Sequence, residues 1–363
     1  MPIISIQWLR AIAALSVAIG HGQSFFAPQA ERAGIAFERS FLLPWGAGVD
    51  LFFVISGFIM VVSSEKLFAT PGATRVFLQR RLRRIVPLYW AAMAVILLKM
   101  VLQGKAPPDG TSIATSFLFI PWDALGKGEA RPFYELGWTL NYEMFFYALF
   151  ALCLGFRREM AVGIAALALA ALVLLGLAAP FSNLQIATWA QPIVLEFTLG
   201  MGIALAYRRG VQLGAELRWT LVGFGVSMLL IDVLNTQAQP ADWMTPNDLV
   251  RVGGWGLATA AIVAAMALAP PRKAKPDRLN RAGAALGDAS YALYLIHPMV
   301  MGAVSALWFR LPAVATLPWT GVFASVALSA MAALAIHRWF ERPLMEARAE
   351  PLPQDAGAAP RAA

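Results

Sequence analysis

Apolar residues run along this chain in ten stretches of membrane-spanning length, separated by short polar segments. They cover residues 4–26, 46–63, 85–103, 133–154, 160–179, 187–207, 217–234, 251–269, 286–309 and 314–337. A helix needs about 17–25 mainly apolar residues to cross the hydrocarbon core, so each stretch is read as a span, with 46–63 and 217–234 at the short end. The expected fold is all-α: a polytopic integral membrane protein of about ten transmembrane helices. The membrane domain is expected over residues 1–345. Residues 346–363 read as a disordered cytoplasmic tail, because EPLPQDAGAAPRAA is rich in Ala and Pro. The outer loop at about 104–132, mixed in charge and rich in Gly and Pro, reads either as a lid facing an acceptor or as a plain connector. No soluble domain, internal repeat or cleavable signal peptide is expected; the first apolar run lacks a basic stretch before it and continues too long.

Composition supports lipid as the solvent. Hydrophobic residues make up 59% of the chain and charged ones 14%, against about 25% charged in soluble domains. The net charge of +8 would suggest nucleic acid in a soluble protein. In a membrane protein it reflects Lys and Arg retained on the cytoplasmic side, so no nucleic-acid partner is expected. With the N-terminus inside, twenty of the 29 Lys and Arg fall in cytoplasmic segments and seven outside. The expected location is the inner (plasma) membrane, with both termini cytoplasmic. The single cysteine, Cys153, lies in an apolar run and forms no intrachain disulfide; no Cys/His spacing suits a metal, and none is expected.

Ionisable groups within the spans carry the candidate chemistry, because a charge at mid-bilayer costs several kcal/mol unless it faces the bundle interior. Lys99, Glu135, Asp232 and Asp288 stand near span ends and can reach the interface. Arg10, His21, Asp50, Glu143, Glu196 and His297 need an account. Arg10 and His21 are eleven residues apart, almost three helical turns, so they share one face about 16 Å apart along the axis. Arg10 lies toward the cytoplasm and His21 toward the outside. Asp50, at a similar depth, could orient the imidazole, cap its own helix or pair with Arg10. Gly46, Gly48 and Gly57 suggest close backbone packing. RRLRRIVPLYW places Arg81 and Arg84 on one face at the cytoplasmic entry of the third span. There they serve as a topology anchor or a phosphate site. Thr139, Glu143 and Tyr147 form one polar stripe, and Ser290, Tyr294 and His297 a second; both are expected to face inward, lining a cavity or bonding to each other. Glu196 has no polar company in the sequence, and His337 reads as interfacial.

These segments together resemble the membrane acyltransferase family 3 proteins. The resemblance begins with WLRAIAALSVAIGH, in which Arg10 precedes His21. It continues through GVDLFFVISGF, through Arg81 and Arg84 followed by IVPLYW, and through WTLNYEMFFY, where Thr139 stands for the commoner Ser after Trp138. SYALYLIHP and the final ERP (341–343) complete the order. The opening ISIQWLRAIAAL looks most like the exopolysaccharide acetylase branch. The resemblance implies ten helices and transfer of an acyl group, usually acetyl, to a glycan. It implies His21 as base or transient acyl carrier; from the residues themselves, Asp50 or Glu143 is expected to orient it. Arg81 and Arg84, with Arg10, are implied to hold the phosphates of cytoplasmic acetyl-CoA. Trp138, Thr139, Tyr147, Ser290, Tyr294 and His297 are expected to line the cavity. No permanently bound cofactor is expected; the partners are acyl-CoA, a glycan or glycolipid acceptor and membrane lipid. The hydrolase-like domain that some members carry outside the membrane is not seen in the sequence, so the acceptor is expected to meet the membrane bundle itself. Two other readings remain from the residues alone. Buried Asp, Glu and His also suit a proton-coupled transporter or glycan exporter, and a scaffold subunit of a polysaccharide synthase is a third.

Overall fold

Apolar runs this long fold as helices because lipid leaves the backbone no partner except itself. The computed structural model describes residues 3–126, 128–231, 248–271 and 277–346. Among them every regular element is helical. In chain order these are α1 Ile4–Arg32, α2 Ala47–Ser63, α3 Ala73–Leu102, α4 Gly110–Phe117, α5 Trp138–Cys153, α6 Arg158–Ala178, α7 Leu184–Trp189, α8 Leu195–Arg208 and α9 Ala215–Leu230. Then come α10 Leu249–Arg251, α11 Leu257–Ala267, α12 Arg278–Asp288, α13 Ser290–Trp308, α14 Pro312–Ala315, α15 Pro318–Ile336 and α16 Arg342–Glu346. A π-helical turn, Val252–Gly256, joins α10 to α11, and another, His337–Glu341, joins α15 to α16.

A helix stands at each of the ten expected places, but among the described residues length and composition qualify six as membrane spans. They are Ile4–Arg32, Ala73–Leu102, Arg158–Ala178, Leu249–Ala267, Ser290–Trp308 and Pro318–Glu346. The other four, α2, α5, α8 and α9, have 17, 16, 14 and 16 residues. Two of them are shortened at the start: α5 and α8 are each entered through a 3-10 turn, Glu135–Gly137 and Pro192–Val194. The expected end of the seventh run, with Asp232, lies outside the described residues, as do Lys127 and the tail from residue 347. The third helix begins at Ala73, so Arg80, Arg81, Arg83 and Arg84 belong to α3 rather than preceding it. The 104–132 loop carries α4, whose N-terminus is capped by Asp109 accepting from Ser112 N at 3.0 Å.

The outward faces are apolar; on α6, Leu167, Leu174 and Leu175 are exposed, as suits a membrane protein. The centre of the bundle is α2. Its Gly57 lies against the Phe197 carbonyl of α8, and Gly200 of α8 lies against the Val54 carbonyl of α2. A side chain at either glycine would collide with backbone, so these two helices approach as small residues allow. Phe53, Phe197 and Phe146 stack beside them, with ring centroids 4.7 and 4.2 Å apart. The first helix packs between α2 and the pair α13 and α15, with α12 across its start. Gly283 and Gly287 of α12 receive Trp8 and the backbone of Gln7. His337, read as interfacial, has its Nδ1 2.8 Å from Glu341 Oε2 within the π turn.

Candidate active site

Three arginines from two helices meet in the core. Arg10 of α1 and Arg81 and Arg84 of α3 border one narrow cavity of about 100 Å³. Arg10 is 6% exposed. Its Nη1 donates to Gln7 Oε1 at 2.9 Å, and Gln7 Nε2 donates to Asp288 Oδ1 at 2.7 Å. Thus Asp288, expected to reach the interface, instead anchors α12 to α1. Arg81 Nη2 donates to Ser63 Oγ at 2.6 Å. Its guanidinium sits 6.0 Å from the Tyr147 ring, and its Nε is buried without a hydrogen-bond partner among the described residues. Among the described residues of this lining, three guanidiniums face a single carboxylate, that of Glu143. Such a cavity attracts an anion, and the fork of arginine matches phosphate oxygens.

Both predicted polar stripes reach this cavity, the first whole and the second in part. Thr139, Glu143 and Tyr147 all line it, as do Ser290 and Tyr294. Glu143 accepts from Ser56 Oγ at 3.1 Å and from the Tyr147 hydroxyl. The hydroxyls of Thr139 and Tyr294 lie 3.0 Å apart and each reaches the Leu136 carbonyl. The Tyr291 hydroxyl donates to Ile85 O at 2.7 Å and pins α13 to α3. Trp138 and His297 do not border the cavity. Trp138 faces two cations instead, with Arg131 and Arg251 at 5.7 and 6.0 Å from its ring.

His21 and His297 meet beyond Tyr294. His21 Nδ1 is 2.7 Å from His297 Nε2, and the two rings stack 9° from parallel. His297 is fully buried and His21 half-buried. His297 Nδ1 lies 3.0 Å from the Leu293 carbonyl. A carbonyl only accepts, so His297 carries its proton on Nδ1 and presents a bare Nε2 when neutral. His21 must then donate from Nδ1, which puts the lone pair of the His21 imidazole on Nε2. The following residue, Pro298, helps to hold this ring: it has no N–H for the Tyr294 carbonyl, leaving an acceptor on the same turn.

Neither expected carboxylate occupies the orienting position. Asp50 is fully buried and held by Arg251, whose Nε and Nη2 donate to its two oxygens at 2.9 and 2.8 Å. Glu143 stands at the arginine end of the site, with Ser56 and Tyr147. The physical reason is charge matching: a buried Asp takes the nearest buried guanidinium, which leaves neutral His297 beside His21. Arg251, the first residue of the apolar run 251–269, is a site residue that sequence reasoning did not single out; its signal was a cation at the edge of an apolar run. Glu196 is also fully buried against this pair, beside Gly256.

The match to known proteins covers the same stretch as this architecture. Residues 3–338 fit the family model of acyltransferase family 3, described as an acyltransferase domain. The chain is 34% identical to the exopolysaccharide production protein ExoZ of Rhizobium meliloti (strain 1021), over 87% of this chain and 94% of that one. It is 26% identical to the acyltransferase MdmB of Streptomyces mycarofaciens, over 82% of this chain and 77% of that one. Nodulation protein 10 of Rhizobium leguminosarum bv. viciae is also 26% identical, over 82% and 83%. No solved structure matches the chain. The transporter and scaffold readings give way to this result: the chain belongs to acyltransferase family 3 and is an acyltransferase.

Proposed function

We propose that this protein is a multi-pass O-acyltransferase of the inner membrane, with about ten spans and both termini in the cytoplasm. It moves an acetyl group from cytoplasmic acetyl-CoA to a hydroxyl of an exopolysaccharide or related envelope glycan. One observation carries the reading: a single helix, α1, sets Arg10 in an arginine-lined cavity and, three turns on, His21 against His297. Loop charge supports the arginine end as the cytoplasmic one. The similarity to the exopolysaccharide production protein ExoZ supports the glycan.

In this reading the guanidiniums of Arg81, Arg84 and Arg10 hold the donor's phosphates, and its pantetheine arm threads the narrow cavity past Thr139 and Tyr294. His297 takes the orienting position. It accepts a hydrogen bond from His21 Nδ1–H and donates one from its own Nδ1–H to Leu293 O. Nε2 of His21 removes the proton of the acceptor hydroxyl as that oxygen bonds to the thioester carbonyl carbon. The carbon–sulfur bond breaks, and the leaving thiolate takes the proton back from His21. An ester and free CoA result. Base assistance of this kind is worth about 10²–10⁴-fold. His21→Ala is therefore expected to lower acetyl transfer by that factor while the protein stays in the membrane. Mass analysis of the glycans reads the result, and normal acetylation in the variant would refute the mechanism.

A further inference from the structure

A second, wider cavity lies further along the face of α1 that carries His21. Ser24, Pro28 and Glu31 follow His21 along α1 at i+3, i+7 and i+10, so they continue its face toward the helix end. All three line a cavity of about 620 Å³, with Phe37 and Arg39 on the facing segment. It begins one turn beyond His21, about 4–5 Å along the axis. The segment after α1 folds back to make the outer wall. Gly34, at φ +67°, turns the chain, and Ile35 N donates to Ala30 O at 2.9 Å. Ser40 N donates to Gln23 Oε1 at 2.7 Å, and Arg39 Nη1 reaches Ser24 Oγ at 3.3 Å. Phe37 is braced by Trp319 of α15, 5.4 Å away.

The two cavities differ in size and chemistry. The one at the arginines is narrow and cationic. The one beyond His21 is about six times larger and lies within the ~300–1,000 Å³ of small-molecule sites. Its lining offers one carboxylate, one guanidinium, one hydroxyl and one aromatic ring. A phosphate would be opposed by Glu31, and a lipid tail would match neither the Glu31 carboxylate nor the Arg39 guanidinium. A sugar ring satisfies all of them: vicinal hydroxyls bridge a carboxylate or guanidinium in pairs, and the C–H face of the ring lies on an aromatic side chain. We propose that this cavity, formed by Ser24, Glu31, Phe37 and Arg39, is the subsite that holds a saccharide ring of the acceptor and presents its hydroxyl to His21. The assignment rests on the acyl-transfer reading above.

The test uses the full chain in lipid nanodiscs, with oligosaccharides cut from the cell's own exopolysaccharide after removal of its ester groups. Glu31→Gln, Arg39→Gln and Phe37→Ala are each expected to raise the KM for the oligosaccharide about tenfold, the worth of one charged hydrogen bond or stacked ring. The KM for acetyl-CoA should not move. Arg32→Gln, an exposed neighbour outside the cavity, serves as the charge control and should change neither. A second readout needs no turnover. In a Ser24→Cys variant the oligosaccharide should slow modification by a bulky maleimide, and it should do so equally when His21 is also Ala. Unchanged oligosaccharide KM in all three variants, or no protection of Cys at position 24, overturns the subsite while leaving acyl transfer intact. Protection without any acetyl transfer by the unmodified chain would instead overturn the reaction and keep the saccharide site.

Discussion

At the scale of single residues, the site depends on which neutral or charged group stands beside each ionisable one. In the proposed reaction His297 acts through His21 by fixing its tautomer, so the shape of its hydrogen bonds matters more than its ability to titrate. His297→Leu removes the acceptor for His21 Nδ1 and lets the ring rotate. Misplacing a reacting group by about 1 Å costs on the order of 10²-fold, and a loss of that size in kcat is expected. His297→Gln can still accept from His21 through its amide oxygen and should recover most of it. Equal losses in both variants would reduce His297 to a packing residue. Asp50 supplies a contrasting case. Its pairing with Arg251 is buried on both sides, and removing one partner of such a pair costs about 3–5 kcal/mol. Asp50→Asn is expected to lower the thermal midpoint of the purified protein, and the double variant Asp50→Leu with Arg251→Met should restore both midpoint and activity. A double variant that is well folded yet inactive would return Asp50 to the chemistry. His21 and Arg10 were legible in the sequence because an ionisable group in an apolar run stands out, and Arg81 and Arg84 through their spacing and the family resemblance. The partner of His21 was not, because a carboxylate is the commoner orienting group and only the packing of α13 against α1 brings His297 there.

At the scale of elements, glycine decides how near two helices come. Gly57 and Gly200 meet backbone carbonyls across the α2–α8 contact, whereas Gly202, two residues along the same helix, has open space where a Cβ would stand. Gly57→Val and Gly200→Val are therefore expected to destabilise by at least the roughly 1–3 kcal/mol of overpacking, seen as a lower melting temperature in detergent. Gly202→Ala should be neutral or stabilising by up to about 1 kcal/mol, since it removes only the flexibility of glycine in a helix. If all three behaved alike, helix propensity rather than close approach would explain them. The sequence suggested close packing at Gly46, Gly48 and Gly57. It held no sign that Gly57 would find Gly200, because the pairing of α2 with α8 spans more than a hundred residues.

At the scale of the whole molecule, topology and mechanism are one claim. The proposed reaction requires the arginine-lined cavity to open to the cytoplasm and the segment after α1 to face outside. The lone native cysteine is buried, which suits single-cysteine mapping in a Cys153→Ala background. Glu38→Cys is expected to react with a membrane-impermeant maleimide on intact spheroplasts. Gly155→Cys, in the turn between α5 and α6, should react only after the membrane is opened. The reverse pattern would invert the positive-inside assignment and with it the route of the acyl group.

The sequence by itself determined the material and the order. An apolar chain with so few charges can only satisfy its backbone as helices, so the ten helix positions follow from local composition. The ionisable residues stand out against it one by one. Span length followed less well, because 3-10 turns at the starts of α5 and α8 are local bends that hydropathy does not register. Tertiary structure alone decided the partnerships: Asp50 with Arg251, His21 with His297, Gln7 with Asp288. Each joins residues more than two hundred positions apart. Pairing at that distance depends on which helices pack side by side and at what depth, and no local pattern in the chain encodes it.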